Sequence, residues 1–326
     1  MINSVCLDII YCVLEYLDKN DSFNLTLCDN IMAQYRFILY KKYHFYYDRI
    51  TVNNLQTKSL IEKLSIKNMI YNPLVIIDIN NYINLISLNI DCIIISNINA
   101  LPKSLKILKI KSSLFNQLLD FLPNNLTELA IWGKKFNKSM DNLPVNLKKL
   151  NIRSNAFSQS LCKLPDIEHL SIRCCNYNQT LDFLPKTLKC FIYSCKELYQ
   201  TIDCLPESLE EFHLDCLFLS KPLYYLPANI KLLSIDTILL QINLKDLPYK
   251  LESLLIKVQT LREQIHTLPD NLKYLKIKTC TILHNIKTPK KLDKLDIHTE
   301  FLPTNIRENI YKKRILNCNI VYEQFK

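Results

Sequence analysis

Imidazole and thiol are the chain's most reactive side chains: six histidines stand at 44, 169, 213, 266, 284 and 298, alongside thirteen cysteines. Together they could hold a divalent metal or run acyl transfer, but both chemistries demand particular spacings. No histidine lies in an H-E-x-x-H motif, no paired C-x-x-C occurs, and Cys174–Cys175 and Cys190…Cys195 lack ligand spacing. Core thiols and no metal are therefore expected. An acyl-transfer cysteine needs an oriented base beside it, and no such arrangement is visible. A single glycine in 326 residues removes the phosphate-cradling loop, the dinucleotide fingerprint and the nucleophile elbow together. The composition points away from an enzyme and from any cofactor. His169 and His213 fall at outward strand positions two units apart in the periodicity described below, where a recognition surface is the expected role.

The elements that would position these residues are set by a repeat. Leu-Pro recurs with its proline at 102, 123, 144, 165, 185, 206, 227, 248 and 269, in steps of 21 or 20 residues, and closes with Leu302-Pro303. Behind each Leu-Pro comes an apolar L-x-x-L-x-I set, as in Leu126/Leu129/Ile131, Leu147/Leu150/Ile152 and Leu272/Leu275/Ile277. Copies at Ile61/Leu64/Ile66 and Leu85/Leu88/Ile90 extend it upstream, and Leu292/Leu295/Ile297 downstream. The closing alternation has the period of a strand with one buried face. Seven residues before each leucine of Leu-Pro stands a third apolar position, Phe115, Phe136, Phe157, Tyr177, Leu198, Leu219, Leu240 and Leu261. No unit of this size buries such a stripe alone, so the units must stack. Proline lacks an amide donor and has a fixed φ, which predicts an extended return path without room for a long helix.

Stacked strands bring equivalent outward residues into columns. The position just past each strand's last inward residue reads Lys111, Trp132, Arg153, Arg173, Ser194, Asp215, Asp236, Lys257, Lys278 and His298. This column is sorted into a basic sector with the only tryptophan, an acidic sector and a second basic one. Its charged members and Trp132 are the candidate contacts for a protein target on the concave rim, an exposed tryptophan among arginines being a common interface anchor composition.

The spacing resembles the L-x-x-L-x-L-x-x-N-x-L template of leucine-rich repeats. The ninth position of that template normally carries Asn or Cys, and here only Asn155, Cys175 and Cys280 fit. The units Phe115-Asn116-Gln117, Phe136-Asn137-Lys138 and Tyr177-Asn178-Gln179 look like the FNIP repeat, a leucine-rich-repeat subtype found in social amoebae and giant amoebal viruses. The expected fold is a leucine-rich-repeat solenoid with a parallel β ribbon, short repeats and an extended convex side over 51–303, behind an N-terminal three-helix module over 1–50. A C-terminal cap is expected over 304–326.

Residues 4–50 do not fit the repeat. Ile9, Ile10, Val13, Leu14 and Leu17 fall at helical spacing, and a further apolar set begins at Phe23. The run Val5-Cys6-Leu7-Asp8-Ile9-Ile10 followed by Asn24-Leu25-Thr26-Leu27-Cys28 resembles an F-box whose opening Leu-Pro is replaced by Val5-Cys6. That resemblance implies a substrate-recognition adaptor of a cullin-based ubiquitin ligase, docking a Skp-type adaptor protein through Val5, Cys6, Leu7, Ile9 and Leu25. The other reading of the same helices is a cap covering the first face of the solenoid, leaving an interaction scaffold with no ubiquitin role. A ligase carrying its own catalytic cysteine is not expected, because only 23 residues follow Pro303.

Charge and hydropathy bound the surroundings. Asp8 and Glu15 interrupt the first apolar stretch, and no basic leader or small-residue cleavage site precedes it. No uncharged apolar run reaches about 18 residues, so no membrane span is expected. An intracellular, cytoplasmic setting (host cytoplasm if viral) with reduced thiols follows. Residues 1–50 carry five basic and six acidic side chains, a net −1, which leaves +11 of the formal +10 on the remainder. Such a surplus favours acidic partners. Asp215 and Asp236 break the positive face that nucleic acid would need.

Overall fold

A computed structural model of the chain describes residues 45–47, 61–67, 74–75, 79, 82–92, 94–95 and 98, all of 101–220, then 223, 225–240, 247–261, 268–284, 286–290, 292–311 and 317–322. The stretch carrying Val5, Cys6, Leu7, Ile9 and Leu25 lies outside the described residues. The chain divides into two compact units, Met1–Gly133 and Lys134–Lys326.

In the first unit β1 (Phe45–Tyr47), β2 (Lys63–Lys67), β4 (Ser87–Asp91), β6 (Ile107–Lys111) and β7 (Glu128–Trp132) lie side by side in chain order, all parallel. The short strands β3 (Leu74–Val75) and β5 (Ile94–Ile95) pair separately, also parallel. The second unit repeats the scheme with β8 (Lys149–Arg153), β9 (His169–Arg173), β10 (Cys190–Leu198), β11 (Glu211–Leu219), β12 (Leu232–Thr237), β13 (Ser253–Leu261), β14 (Tyr274–Ile282), β15 (Lys294–Phe301) and β16 (Asn317–Tyr322). A helix, α1 (Thr304–Tyr311), connects its last two strands. Consecutive parallel strands need a return crossover, and here each crossover is one repeat's irregular side. Each unit is a parallel β-solenoid.

Register and burial follow the apolar pattern. Leu150, Leu170, Phe191, Phe212, Leu233, Leu254, Leu275 and Leu295 are buried and stand opposite one another from strand to strand. The Leu-Pro step is explained by the backbone. In most repeats the proline carbonyl accepts the amide of the residue three further on, as in Leu126 to Pro123 and Leu147 to Pro144, both at 3.0 Å. Proline contributes its carbonyl and loses nothing by lacking an N–H at this point. One repeat is a residue shorter, and there the Ile167 amide reaches the Pro165 carbonyl two residues back at 2.7 Å. The single tighter turn accounts for the 20-residue step from Pro165 to Pro185 without disturbing the register of β9.

The third apolar position forms a spine. Phe136, Phe157 and Tyr177 stack with ring centroids 6.0 and 5.8 Å apart and planes within 6° of parallel, a spacing at which aromatic pairs attract beyond their area burial. In these units the strands are five residues long and side chains satisfy the amides beyond them: Asn137 Oδ1 accepts the Ser158 N–H at 3.0 Å. Where leucine replaces the ring, as at Leu198 and Leu219, the strand runs on for nine residues and the two leucines pair directly.

At the template's ninth position Cys175 Sγ donates to Asn155 Oδ1 at 3.6 Å, but the longer ladder lies at the eighth. Ser112, Ser154, Cys174, Cys195, Cys216, Thr237, Thr279 and Thr299 are all buried there. Ser154 Oγ donates to the Phe136 carbonyl at 2.8 Å and accepts the Ala156 amide at 3.2 Å. Thr279 reaches the carbonyls of Gln259 and Thr281, and Thr299 those of Cys280 and Phe301, at 2.9–3.2 Å. A short hydroxyl thus bridges the turning backbone to the preceding repeat, the work an asparagine does one position later in the template. Replacing Ser154 with alanine strips a donor and an acceptor from a buried turn and should cost about 1–3 kcal/mol. Replacing the exposed Ser113 should cost under about 0.5 kcal/mol. Urea unfolding of the two variants beside the parent chain measures both.

Candidate functional site: the solvent face of the sheet

Alternate residues of every strand point away from the buried stripe, so the sheet in each unit presents a face of parallel columns. In the first unit Lys111 stands opposite Asp91 and donates to its carboxylate at 2.9 Å, while the half-buried Trp132 stands opposite Lys111. In the second unit Arg153, Arg173, Ser194, Asp215, Asp236, Lys257, Lys278 and His298 are successive register partners. The alignment expected of this column is therefore present within each unit.

Lys257 closes on Asp236 at 2.7 Å, and Ser194 donates to Asp215 at 3.1 Å. The first is an exposed ion pair, which contributes little to affinity or stability, and the second leaves the Asp215 charge capped by a neutral hydroxyl. Arg153 and Arg173 are exposed, stand side by side on β8 and β9, and bring two positive groups to one spot. In the next column inward, Asn151 and Ser171 are register partners whose buried Oδ1 and Oγ have no hydrogen-bond partner among the described residues. Two exposed guanidinium groups side by side can receive carboxylates or backbone carbonyls.

Beside the same strands, at the position before each begins, runs a feature no single repeat reveals. Residues 148, 168, 189, 210, 231, 252, 273 and 293 are Lys, Glu, Lys, Glu, Lys, Glu, Lys and Asp. Lys189 meets Glu168 at 2.9 Å, Lys231 meets Glu210 at 2.6 Å, and Lys273 meets Glu252 at 2.8 Å. The backbones of the same residues are joined, with the Glu210 amide on the Lys189 carbonyl and the Lys231 amide on Glu210, both at 2.8 Å. Hydrogen bonds from the lysines, and their charge, hold the carboxyls of Glu168, Glu210 and Glu252 below their usual range. The same contacts raise Lys189, Lys231 and Lys273. Two open grooves lie along this ladder, one lined by Lys189, Glu210 and Lys231 and the next by Lys231, Glu252 and Lys273.

Histidine and cysteine chemistry is sparser. Among the described residues one group of three could hold a metal ion, Cys190, Glu211 and His213. It is formed across two strands and has no continuous motif in sequence. His169 is exposed and stands opposite Cys190 on the neighbouring strand. Among the described residues no helix is long and apolar enough to cross a membrane.

No family model matches the chain, and no curated relative matches its sequence. Among solved structures the chain is similar to CroV588, a novel circular LRR protein, with a TM-score of 0.50 and 19% identity, covering 83% of this chain and 51% of that one. The chain thus spans about half the length of that protein. It also matches YopM from Yersinia enterocolitica WA-314, with a TM-score of 0.36 and 18% identity over 74% of this chain and 65% of that one. The likeness to CroV588 shows the fold: a parallel β-solenoid of the leucine-rich-repeat type.

The ladder carries a pH dependence whose sign is fixed by the shifts. Lowered carboxyls contribute stability that is full above their unfolded pKa of about 4.3 and is lost as pH falls through the folded value. Raised lysines contribute stability that is full below about 10.4 and is lost as pH rises through the folded value. The difference in Tm between the parent chain and Glu210→Gln should therefore be largest from about pH 5 to 10, fade on both sides, and shrink in high salt. Thermal melts across pH at two salt concentrations test this.

Proposed function

We propose that this chain is a non-enzymatic repeat scaffold that binds a partner protein on the solvent face of its sheet. The observation that carries the reading is the in-register pairing of two exposed arginines, Arg153 and Arg173, on neighbouring strands. A regular sheet presenting such columns is a rigid platform, and rigid platforms bind without a large ordering cost. Arginine is over-represented among the residues that dominate protein interfaces, and two together favour an acidic segment. The matched charges at Asp236 and Lys257 would contribute orientation more than affinity. On this reading Lys111, Trp132, Asp215 and Lys278 form the outer parts of the recognition columns, each within its own unit.

A finer reading makes the scaffold a substrate receptor. The F-box-like run from Val5 to Cys28, ahead of FNIP-like units, supports docking to a Skp-type adaptor through Val5, Cys6, Leu7, Ile9 and Leu25. The repeat face would then raise the concentration of a bound target beside a cullin-based ligase.

The two readings separate in one pair of experiments. Crosslinking and affinity capture from a cell lysate should recover a partner with the parent chain and lose it with Arg153→Glu/Arg173→Glu, while the melting temperature stays within a few degrees. Retention of the same partners by that double variant would remove the face from the interaction. Purified Skp-type adaptor should bind the parent chain and not Val5→Asp/Ile9→Asp; a folded parent chain that fails to bind it ends the receptor reading and leaves the scaffold.

A further inference from the structure

We propose that Cys190 on β10, with Glu211 and His213 on β11, forms a binding site for a zinc-type divalent transition-metal ion on the solvent face of the second unit. The three ligand atoms, one thiol sulfur, one carboxylate oxygen and one imidazole nitrogen, all lie within 4.8 Å of one another. In a tetrahedral site with bonds of about 2.0–2.3 Å, donor atoms stand roughly 3.3–3.8 Å apart. Closing the trio around an ion therefore takes a movement of about 1 Å, within the reach of side chains that are half-exposed or exposed.

The backbone supplies the rigidity. Cys190 is the register partner of Glu211, and His213 is the partner of Ile192, two residues along the same pair of strands. Residues i and i+2 share a face, so one strand offers Glu211 and His213 side by side while its neighbour offers Cys190 across from them. The two strands pair without interruption from Cys190 to Cys195, and a site on such strands keeps its geometry better than one on loops.

The charge around the group is mixed, with the Glu211 carboxylate on one side and the Arg173 guanidinium acting on His213. Glu210 is taken by Lys231 at 2.6 Å, but the next residue, Glu211, faces the thiol of Cys190 and the imidazole of His213 instead. Burial, and secondly the Glu211 charge, push the Cys190 thiol up to about 11. Without an ion this is a protonated thiol beside an anion. Burial holds His213 below its usual range against the opposing pull of Glu211, with Arg173 adding to the lowering, and the neutral imidazole is the form that ligates a metal. Binding then releases one proton to solvent: the S–H bond breaks, the sulfur keeps the electron pair and donates it to the metal, and no redox change occurs. Thiolate, imidazole and carboxylate together favour zinc and its neighbours over calcium or magnesium, which take oxygen ligands. A water completes the fourth position on the solvent side.

Cobalt titration of the full chain, reduced and metal-free, tests the site. Co²⁺ should bind saturably at one equivalent, give the near-ultraviolet thiolate-to-cobalt absorption with visible bands of tetrahedral coordination, and be displaced by Zn²⁺. Cys190→Ser should abolish the near-ultraviolet band, and Glu211→Gln and His213→Ala should each weaken binding by roughly tenfold or more, with circular dichroism unchanged. The other cysteines are the internal control: a near-ultraviolet band of parent intensity in Cys190→Ser would put the ion elsewhere and overturn the assignment. So would an absence of saturable binding in the folded parent chain, or parent-like affinity in both Glu211→Gln and His213→Ala.

Discussion

The constraint on which everything else depends is that no repeat can bury its own apolar stripe. A unit of 20 or 21 residues offers one short strand and an irregular return, and its leucines become buried only when the next unit is laid over them. The backbone shares this dependence: strands such as β10 find their hydrogen-bond partners in the repeats on either side. Apolar burial and backbone satisfaction therefore require the same event, stacking in one register. Whatever fixes the register fixes the fold, and every functional column on the sheet inherits its order from it.

Three devices act on that register at different depths. The Leu-Pro turns set the length of each return path, and the tighter turn at Pro165 absorbs a missing residue before it can shift β9. Inside, the Ser154, Thr237, Thr279 and Thr299 hydroxyls tie each turn to the repeat before it. Outside, the Lys–Glu ladder adds a condition with twice the period of the repeat. Shifting the stack by one unit would leave the leucines content but set lysine against lysine and glutamate against glutamate. Exposed pairs are weak as stabilisers, yet a row of alternating charges discriminates between stackings that the apolar stripe cannot tell apart, since like charges side by side are penalised.

How much of this the sequence discloses follows from the range of each signal. The inward positions from Leu126 to Ile297 and the alignment of Arg153 with Arg173 are legible because they recur in every unit. The hydroxyl ladder is misplaced by one position when the repeat is aligned on the asparagine of the leucine-rich template: a search for Asn at the ninth place passes over Ser154 and Thr279 at the eighth. The charge ladder escapes a reading made one repeat at a time, because Lys189 and Glu210 look like unrelated surface charges until two units are compared. The Cys190–Glu211–His213 group is harder still. Its members are separated by one full repeat and by two residues, and only the pairing of β10 with β11 brings them together.

The same geometry explains why a face of this kind is suited to holding something. In a compact enzyme, functional groups converge into a cavity from different directions; here neighbouring columns run side by side and converge nowhere. A group of three donors can form only when chemistry is placed on adjacent strands at adjacent rows, which is the arrangement of Cys190, Glu211 and His213. Elsewhere on the face, column order distributes the outward side chains over many strands. Substitution of one outward residue, such as Asp236, leaves the buried stripe untouched, because alternation separates the two faces along every strand. Core and surface are thereby written in alternate letters of the same segments, and the outward letters are free to vary while the solenoid persists.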